Sequence, residues 1–435
     1  MKNIFLSKNN LFAYKKNMRK FYIIGGKELR GEISIDCAKN AILPIMSACI
    51  MIDGQVVLKS IPKYSDVLAM QEIIQNLGGK TFWDNDSLII DCKELNLGEV
   101  PNELAQKARA SIFTLGPILA RLSSAKVSYP GGCNIGARPI DIHIAGLKSL
   151  GARIVEKNGY IYARKEKETF GEFRLAFPSV GATENLIMYS CLGRGKTILH
   201  NCAREPEIVD LQNFLNKCGG NVHGAGSDEI IIEGVDKLYS TSYQPIPDRI
   251  ETGTYMIATA MCGGKVTLDN AVKSHNELLI EKLSNAGCEF EFEQGKIIVS
   301  SNGKPISFGE IETAVYPGFP TDLQAQMGAL ASVSKGYSII SENVFEARFN
   351  HVPELIKMGA DIKIKNGICV ICGKEKLYGA DVCATDLRGG ASLVLAGLKA
   401  EGYSNISNIS YIERGYYHLE EKLTKLGADI KIIEN

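Results

Sequence analysis

The sequence has 435 residues, more than the ~250–300 at which a single hydrophobic core stops growing, so it predicts at least two domains. Apolar residues make up 45% of the chain and charged residues 23%, as in an ordinary globular protein. Lysine and arginine together number 49, the same as aspartate and glutamate. This balance argues against a protein that binds nucleic acid or a membrane through its bulk charge.

The N-terminus, MKNIFLSKNNLFAYKKNMRK, is basic and irregular. It contains no apolar run of signal-peptide length, and no later segment is long and apolar enough to span a bilayer. We therefore expect residues 1–17 to form a disordered extension, with Met18 as an alternative start. We also expect the protein to be cytoplasmic and not inserted in a membrane.

The twelve cysteines lack the regular close spacing of a disulfide framework, which is typical of reduced thiols in a cytosolic protein. Cys369 and Cys372 have the C-x-x-C spacing of some zinc and redox sites. They lie in GICVICG, which reads as a strand, and an odd offset in a strand places two side chains on opposite faces. We therefore predict no metal or redox site there.

A short signature recurs six times along the chain. It reads LGGK at residue 77, LGAR at 150, CGGN at 218, AGCE at 286, MGAD at 358 and LGAD at 426, so successive copies are 68 to 73 residues apart. Each copy ends a stretch of helical periodicity and precedes two alternating segments joined by a turn. With a strand and a helix ahead of it, this pattern predicts six βαβαββ units, grouped as two domains of three.

Charged residues lie at or next to the predicted start of the first helix in five units: Lys39, Arg109, Arg249, Asp322 and Arg388. Basic side chains are disfavoured there, because a helix N-terminus already carries about half a positive charge. Their repetition at equivalent positions predicts a bound anion, since backbone N–H groups with lysine or arginine form phosphate and carboxylate sites.

The loop before the second helix of a unit carries further candidates. In PGGCNIGARPIDIH it holds Cys133 and Arg138, and the equivalent loops of two later units hold Arg348 and Arg414. Pseudo-equivalent loops are expected at one end of each domain, so these groups are predicted to converge on an interdomain cleft. A neighbouring cation lowers a thiol pKa from its usual ~8.5, which makes Cys133 a candidate reactive cysteine.

These motifs resemble one enzyme family. CAKNAILP, PGGCNIGARPIDIH, FPSVGAT, PDRIETGTYM, FPTDLQAQ, RFNHVPEL and ATDLRGGAS are similar, in family order and in all six units, to the motifs of the UDP-N-acetylglucosamine 1-carboxyvinyltransferases, which are enolpyruvyl transferases. The resemblance implies an inside-out α/β barrel in two domains, with one at residues 39–246 and the other at 18–38 plus 247–435.

The resemblance also implies a reaction. It is the transfer of the enolpyruvyl group of phosphoenolpyruvate to the 3′-hydroxyl of UDP-N-acetylglucosamine (UDP-GlcNAc), the first committed step of peptidoglycan synthesis, with release of phosphate and without a metal or organic cofactor. Lys39, Arg138 and Arg414 would hold the phosphate, and Arg348 and Arg388 the carboxylate. Cys133 would deliver a proton to the methylene carbon, and Asp322 would remove one from the sugar. The small-molecule substrates are the partners that the resemblance implies, and protein partners stay unknown.

The acceptor would lie along a second set of residues, which by resemblance consists of Asn40 (shared with phosphoenolpyruvate), Arg109, Arg138, Pro139, Ile140, Asp141, Ile142, Ser179, Val180, Gly181, Asp322 and Val344. The Cys133 loop is expected to close over the substrates as a lid. His143, at the end of this loop, is expected to orient the following helix, and the glutamates of AREPEIVD to act at a helix start.

Three departures from the family pattern are visible, and none removes a group that the chemistry needs. Phe113 stands where some members carry tryptophan, Glu413 replaces an aspartate, and a glycine follows Arg388.

Two alternatives stay open at this stage. One is a shikimate-3-phosphate enolpyruvyl transferase of the same fold, and the other is an inactive paralogue that binds UDP-GlcNAc. If Cys133 reacts in a closed cleft, we expect the epoxide antibiotic fosfomycin to alkylate it.

Overall fold

The computed structural model describes residues 19–131, 135–136, 139–166 and 170–434. Cys133 and Arg138 and the extension 1–17 therefore lie outside the described residues. None of the helices in this part of the chain combines the length and the apolar character that crossing a bilayer requires.

The described residues form 24 strands. In chain order they are β1 (Arg19–Ile24), β2 (Leu29–Ser34), β3 (Gln55–Leu58), β4 (Lys80–Asp84), β5 (Ser87–Asp91), β6 (Glu99–Val100), β7 (Ser124–Ser128), β8 (Ala152–Lys157), β9 (Tyr160–Lys165), β10 (Gly171–Arg174), β11 (Lys196–His200), β12 (Asn221–His223), β13 (Glu229–Glu233), β14 (Thr241–Tyr243), β15 (Gly264–Asp269), β16 (Glu289–Glu293), β17 (Lys296–Ser301), β18 (Glu310–Glu312), β19 (Tyr337–Ser341), β20 (Asp361–Lys365), β21 (Ile368–Cys372), β22 (Asp381–Cys383), β23 (Tyr403–Ser407) and β24 (Asp429–Glu434).

Thirteen α-helices alternate with these strands in the same residues. They are α1 (Lys39–Ala48), α2 (Ser65–Asn76), α3 (Asn102–Ala105), α4 (Leu115–Leu122), α5 (Asp141–Ser149), α6 (Val180–Cys191), α7 (Pro206–Lys217), α8 (Arg249–Cys262), α9 (Glu277–Asn285), α10 (Gln324–Val333), α11 (Val352–Lys357), α12 (Leu387–Lys399) and α13 (Leu419–Lys425). Short 3₁₀ turns cover Cys49–Met51, Arg109–Thr114, Lys273–His275, Thr321–Leu323 and Ile409–Arg414.

The strands form six four-stranded sheets, one for each sequence repeat. In the unit that contains β10 to β13, β10 runs parallel to β11, and β13 pairs antiparallel with both β11 and β12. The units of β6 to β9 and β18 to β21 have the same order. The predicted βαβαββ unit is therefore confirmed.

Three sheets take a strand from elsewhere in the chain. The short strand β14 pairs parallel with β3, and β2 pairs parallel with β15. The first strand, β1, lies between β23 and β24 and pairs antiparallel with both. The two strands that precede Lys39 therefore complete sheets built mainly by the C-terminal half of the chain.

The first helix of each unit is the inner layer, with the sheets outside it. All fourteen residues of α8 and all ten of α10 are buried, as expected of inner helices made mostly of apolar or small residues. One hydrophobic core joins residues 21–35 with 250–430, and a second joins 37–238. The predicted helices-inside arrangement is confirmed, although its strands form six separate sheets instead of one closed barrel.

The chain passes between the two cores at two segments that lie side by side. Cys37 and Pro247 form an antiparallel bridge, the Ala38 N–H donates to the Ile246 carbonyl at 2.8 Å, and the Asp248 N–H donates to the Asp36 carbonyl at 2.8 Å. These contacts hold the two connections between the halves of the protein next to each other.

A buried charge cluster supports this crossing. The Nζ of Lys422 lies 2.7 Å from Asp36 and 2.6 Å from Glu251, which is 1% exposed. Another Glu251 oxygen accepts the Asp36 N–H at 2.8 Å. Burial raises the pKa of Glu251 to about 7, although Lys422 opposes the change. The lysine is thus the cation on which a buried carboxylate, Glu251, and a half-buried one, Asp36, depend.

We predict that Lys422→Met lowers the free energy of unfolding by ~3–5 kcal/mol at pH 8, because it leaves the buried Glu251 and the half-buried Asp36 without their cation. The loss is expected to be smaller at pH 5.5. At pH 5.5 the folded protein keeps a proton on Glu251, because the pKa of this carboxyl is raised to about 7. The protonated group does not need the lysine, and the stability that its raised pKa contributes is lost only as pH rises through that pKa. Urea unfolding at the two pH values measures the difference. Lys425→Met, at an exposed position of the same helix, is the control. Equal losses at both pH values would contradict the expectation.

Candidate active site

A cavity of about 450 Å³ lies between the two cores and is lined by residues of both halves. The first inner helix or 3₁₀ turn of every unit points its start at this cavity, because the lining includes Lys39, Arg109, Val180, Arg249, Asp322 and Arg388. A larger hollow of about 910 Å³ on the outer face of the β6–β9 sheet is lined by exposed side chains such as Leu97, Val155 and Tyr162. It has no comparable set of buried charges among the described residues, so we place the functional site in the central cavity.

Asp66 brings two cations together on one side of the cavity. It lies in the first turn of α2 and is 5% exposed. Its carboxylate is 3.3 Å from the Nζ of Lys39 and 3.0 Å from the Nε of Arg414. Burial alone would raise the pKa of Asp66, but Lys39 and Arg414 more than offset it and hold the pKa below its usual value.

Asp322 brings together a second pair of cations. One of its oxygens is 2.5 Å from the Nη2 of Arg348 and the other is 3.0 Å from the Nη2 of Arg388. Burial works to raise the pKa of Asp322, yet Arg388, Arg348 and Lys39 hold it far below its usual range. Within the described part of the chain, Nε of Arg348 and Nη1 of Arg388 are buried donors without an acceptor. Both arginines therefore retain hydrogen-bonding capacity for an anion.

A recess of the same cavity is acidic. Glu207 lies 3.0 Å from the Nε of Arg249, and Glu205 and Glu184 line the cavity beside them. Glu184 is 1% exposed, and neither of its oxygens has a hydrogen-bond partner among the described residues. Burial, with smaller contributions from Glu207 and Glu205, raises the pKa of Glu184 well above its usual value, which favours the protonated form of this side chain.

The start of α6 forms another wall. Ser179 caps the helix by accepting the Ala182 N–H at 3.4 Å. At Gly181 a Cβ would lie 2.9 Å from the ring of Phe113 and 3.3 Å from that of His143, so only glycine allows these rings to approach. Nδ1 of His143 is 3.0 Å from the side-chain amide of Asn185. A helix N-terminus of this kind presents backbone N–H groups to an anion.

The described residues beside Cys133 reach across the cavity. The Ala347 N–H donates to the Ile135 carbonyl at 3.2 Å, and a Cβ on Gly136 would lie 2.8 Å from the carboxylate of Glu346. Ile135 belongs to the half that contains α1, whereas Glu346 and Ala347 follow β19. This loop therefore touches both walls of the cavity.

The structure brings most of the predicted site residues together. Those that line the cavity are Lys39, Asn40, Arg109, Pro139, Asp141, Ile142, Ser179, Val180, Gly181, Asp322, Val344, Arg348, Arg388 and Arg414. Ile140 is 7% exposed and packs in the core, outside this lining. Cys133 and Arg138 lie outside the described residues.

Sequence reasoning did not single out Asp66. An acidic residue occurs in the first turn of the second helix of every unit, as at Asp141 in α5 and Glu277 in α9, where it complements the helix dipole. Asp66 therefore looks like an ordinary helix-start acid in the sequence. Only its approach to Lys39 and Arg414, which are 27 and 348 residues away in sequence, distinguishes it.

Comparisons with known proteins point to one family. Residues 23–423 match the family described as EPSP synthase (3-phosphoshikimate 1-carboxyvinyltransferase). Two proteins of Caldanaerobacter subterraneus subsp. tengcongensis, named UDP-N-acetylglucosamine 1-carboxyvinyltransferase 1 and 2, are 49% and 46% identical over 94% and 95% of this chain and 99% of their own length. A protein of the same name from Coxiella burnetii is 46% identical over 96% of this chain and 97% of its own.

Solved structures share the fold. The enolpyruvyl transferase NikO from Streptomyces tendae superposes with a TM-score of 0.85 at 21% identity, over 96% of this chain and all of its own. EPSP synthase from Acinetobacter baumannii superposes with a TM-score of 0.73 at 17% identity, over 95% of this chain and all of its own. At these identities the likeness is one of fold alone.

We predict that Glu184→Gln raises the thermal midpoint, relative to the wild type, by more at pH 8 than at pH 5. The unfolded chain releases the Glu184 proton near the ordinary pKa while the folded chain keeps it, so the wild type loses stability as pH rises above that value. The gain is expected to grow by at least ~2 °C between the two pH values. Calorimetry measures it, with Glu281→Gln, exposed on α9, as the control. A gain that does not change with pH would show that Glu184 is ionised.

Proposed function

Because the chain belongs to the enolpyruvyl transferase family and is related over nearly its whole length to the UDP-N-acetylglucosamine 1-carboxyvinyltransferases, we propose that it transfers the enolpyruvyl group of phosphoenolpyruvate to the 3′-hydroxyl of UDP-GlcNAc and releases phosphate. This is the first committed step of peptidoglycan synthesis, so the enzyme would act in the cytoplasm in cell-wall formation, cell shape and division.

One observation carries the proposal: two cation pairs face one cavity, and each pair is held by a carboxylate. Phosphoenolpyruvate has two anionic groups on one small carbon skeleton and needs several cations close together. Lys39 and Arg414 suit the phosphate, with Arg138 added by the family resemblance. Arg348 and Arg388, which have buried donors without an acceptor, suit the planar carboxylate in the bidentate geometry that arginine favours.

The chemistry requires a proton donor and a proton acceptor. A proton from Cys133 would go to the methylene carbon of phosphoenolpyruvate while the sugar 3′-oxygen bonds to the adjacent carbon and gives up its proton. The resulting methyl group then returns a proton as the carbon–phosphate oxygen bond breaks. The product is an enol ether and inorganic phosphate.

Asp322 is the candidate base toward the sugar hydroxyl, and its ion pairs explain how it would be controlled. Bound between Arg348 and Arg388, with its pKa far below the usual range, it is a poor proton acceptor. A substrate carboxylate on these arginines would compete for the same donors. Its binding would weaken the hold on Asp322 and raise its pKa, so the base becomes effective when phosphoenolpyruvate is present.

The acceptor would lie along Arg109, the stretch 139–142, the start of α6 and Val344. The backbone N–H groups of Val180 and Gly181 suit the diphosphate. Relatives at 46–49% identity carry the UDP-GlcNAc name, whereas the EPSP synthase structure is 17% identical, which supports UDP-GlcNAc over shikimate 3-phosphate. The cation pairs on Asp66 and on Asp322 face the same cavity, which favours an active enzyme over an inactive paralogue that only binds UDP-GlcNAc.

We further propose domains at 39–246 and at 18–38 plus 247–435, supported by the separate cores.

Phosphate release from phosphoenolpyruvate tests the proposal. We expect release with UDP-GlcNAc and none with shikimate 3-phosphate in separate reactions. Cys133→Ala is expected to lose ~10²–10⁴-fold in rate, as removal of a general acid does. Cys383→Ala, at a half-buried thiol outside the cavity, is the matched control. Release with the shikimate ester alone would place the enzyme in the sister activity, and binding of UDP-GlcNAc without any release would favour an inactive paralogue.

We also expect fosfomycin to inactivate the enzyme by alkylating Cys133, because a thiolate beside cations attacks an epoxide carbon and opens the ring. Peptide mass spectrometry after treatment locates the adduct. The Cys133→Ala protein should carry none, and Cys383 should stay unmodified in the wild type. Full activity without an adduct on Cys133 would exclude this reactivity.

A further inference from the structure

Asp66 is the one buried carboxylate among the described residues that contacts both Lys39 and Arg414. The proposed reaction gives it no role, since the proton steps fall to other groups. Its side chain is 6% exposed, against 12% for Lys39 and 24% for Arg414. The carboxylate therefore lies deeper in the wall than either cation, which is the arrangement of a support behind two ligand-binding groups.

The contacts also join the two halves of the protein. Lys39 starts α1 and Asp66 lies in the first turn of α2, and both helices belong to the core built from residues 37–238. Arg414 ends the 3₁₀ turn Ile409–Arg414, which packs in the other core. Its Nε and Nη2 lie 3.0 and 3.4 Å from the two oxygens of Asp66. One carboxylate thus sets the position of a cation from each wall.

On these contacts, and resting on the function proposed above, we propose that Asp66 is a positioning residue that holds Lys39 and Arg414 together as the binding site for the phosphate of phosphoenolpyruvate. Two half-buried cations repel each other, and a fixed anion behind them offsets that repulsion. Asp66 keeps the two donor groups near each other, where a phosphate can contact both.

The alternative is that Asp66 competes with the phosphate for the same cations. The two cases predict opposite results when the charge is removed. If Asp66 supports the two cations, Asp66→Asn weakens the binding of phosphate, because Lys39 and Arg414 separate. If Asp66 competes with the phosphate, the same substitution tightens phosphate binding, because the cations no longer have another anion to contact.

The experiment measures binding of inorganic phosphate and of phosphoenolpyruvate by calorimetry, together with steady-state kinetics, for Asp66→Asn and Asp66→Glu. For Asp66→Asn we expect phosphate binding weaker by ~10-fold or more, which is ~1.4 kcal/mol. We expect kcat/KM for phosphoenolpyruvate to fall ~10²-fold, as for a displaced catalytic group, while KM for UDP-GlcNAc stays within about twofold. Asp66→Glu, which keeps the charge, is expected to recover part of the loss.

The pH dependence of phosphate binding gives a readout that a merely structural role would not change. Burial lowers the pKa of Lys39, Asp66 and Asp322 raise it, and Arg388 and Arg414 lower it further. Without the Asp66 charge, Lys39 loses its proton at lower pH, so the alkaline loss of phosphate binding should move to lower pH in Asp66→Asn. Asp210→Asn, which alters a buried carboxylate bonded to Tyr243, is the control.

Tighter phosphate binding in Asp66→Asn would overturn the proposal and identify a competitor. The proposal would also be overturned if Asp66→Asn weakened the use of phosphoenolpyruvate and of UDP-GlcNAc equally, left the alkaline part of the pH profile of phosphate binding unchanged, and was not rescued by Asp66→Glu. That result would show a general loss of structure. Phosphate binding can be measured without the second substrate, UDP-GlcNAc. A wild type that binds phosphate through Asp66-held cations but does not turn over with UDP-GlcNAc would therefore refute the proposed function and leave this inference standing.

Discussion

The site depends on two carboxylates that neutralise four buried or half-buried cations. Lys39, Arg348, Arg388 and Arg414 face one cavity of about 450 Å³, and Arg348 and Arg388 are 4% and 3% exposed. Like charges at this depth repel strongly unless anions lie between them. Asp66 and Asp322 supply those anions, each between two cations. On the proposed function, a substrate with two anionic groups would replace part of this neutralisation, and the two cation pairs suit a small molecule of that kind.

The repeat architecture explains why these charges meet. Each unit places a buried helix inside its sheet, and the six inner helices or the 3₁₀ turns before them start at the same cavity. Their N-termini add positive potential to that of the side chains. Apolar and small residues along most of their length keep α8 and α10 inside the cores. The paired crossings at residues 36–38 and 246–248 keep the two halves opposed. The fold therefore concentrates charge at one place without any charged run in the sequence.

Much of this could be predicted from the sequence, for identifiable reasons. The recurring glycine after each helix, as at Gly78 and Gly151, takes a positive φ of 95° in both cases, so the signature has a direct backbone cause and locates each helix end. The pairing of β14 with β3 could not be predicted, because strand pairing between distant segments leaves little local pattern. Asp66 was missed because its position looks like any capping acid. Ile140 was expected along the acceptor, but it turns into the core.

The decisive measurement is a crystal structure with phosphoenolpyruvate and 3-deoxy-UDP-GlcNAc, which lacks the reacting hydroxyl. We expect the phosphate within hydrogen-bonding distance of Lys39 and Arg414, with Asp66 still behind them. We expect the carboxylate on Arg348 and Arg388, with at least one Asp322 contact to these arginines lost. Phosphoenolpyruvate bound in the reverse orientation, or bound elsewhere while both Asp322 ion pairs persist, would rule out these cation pairs as its binding site.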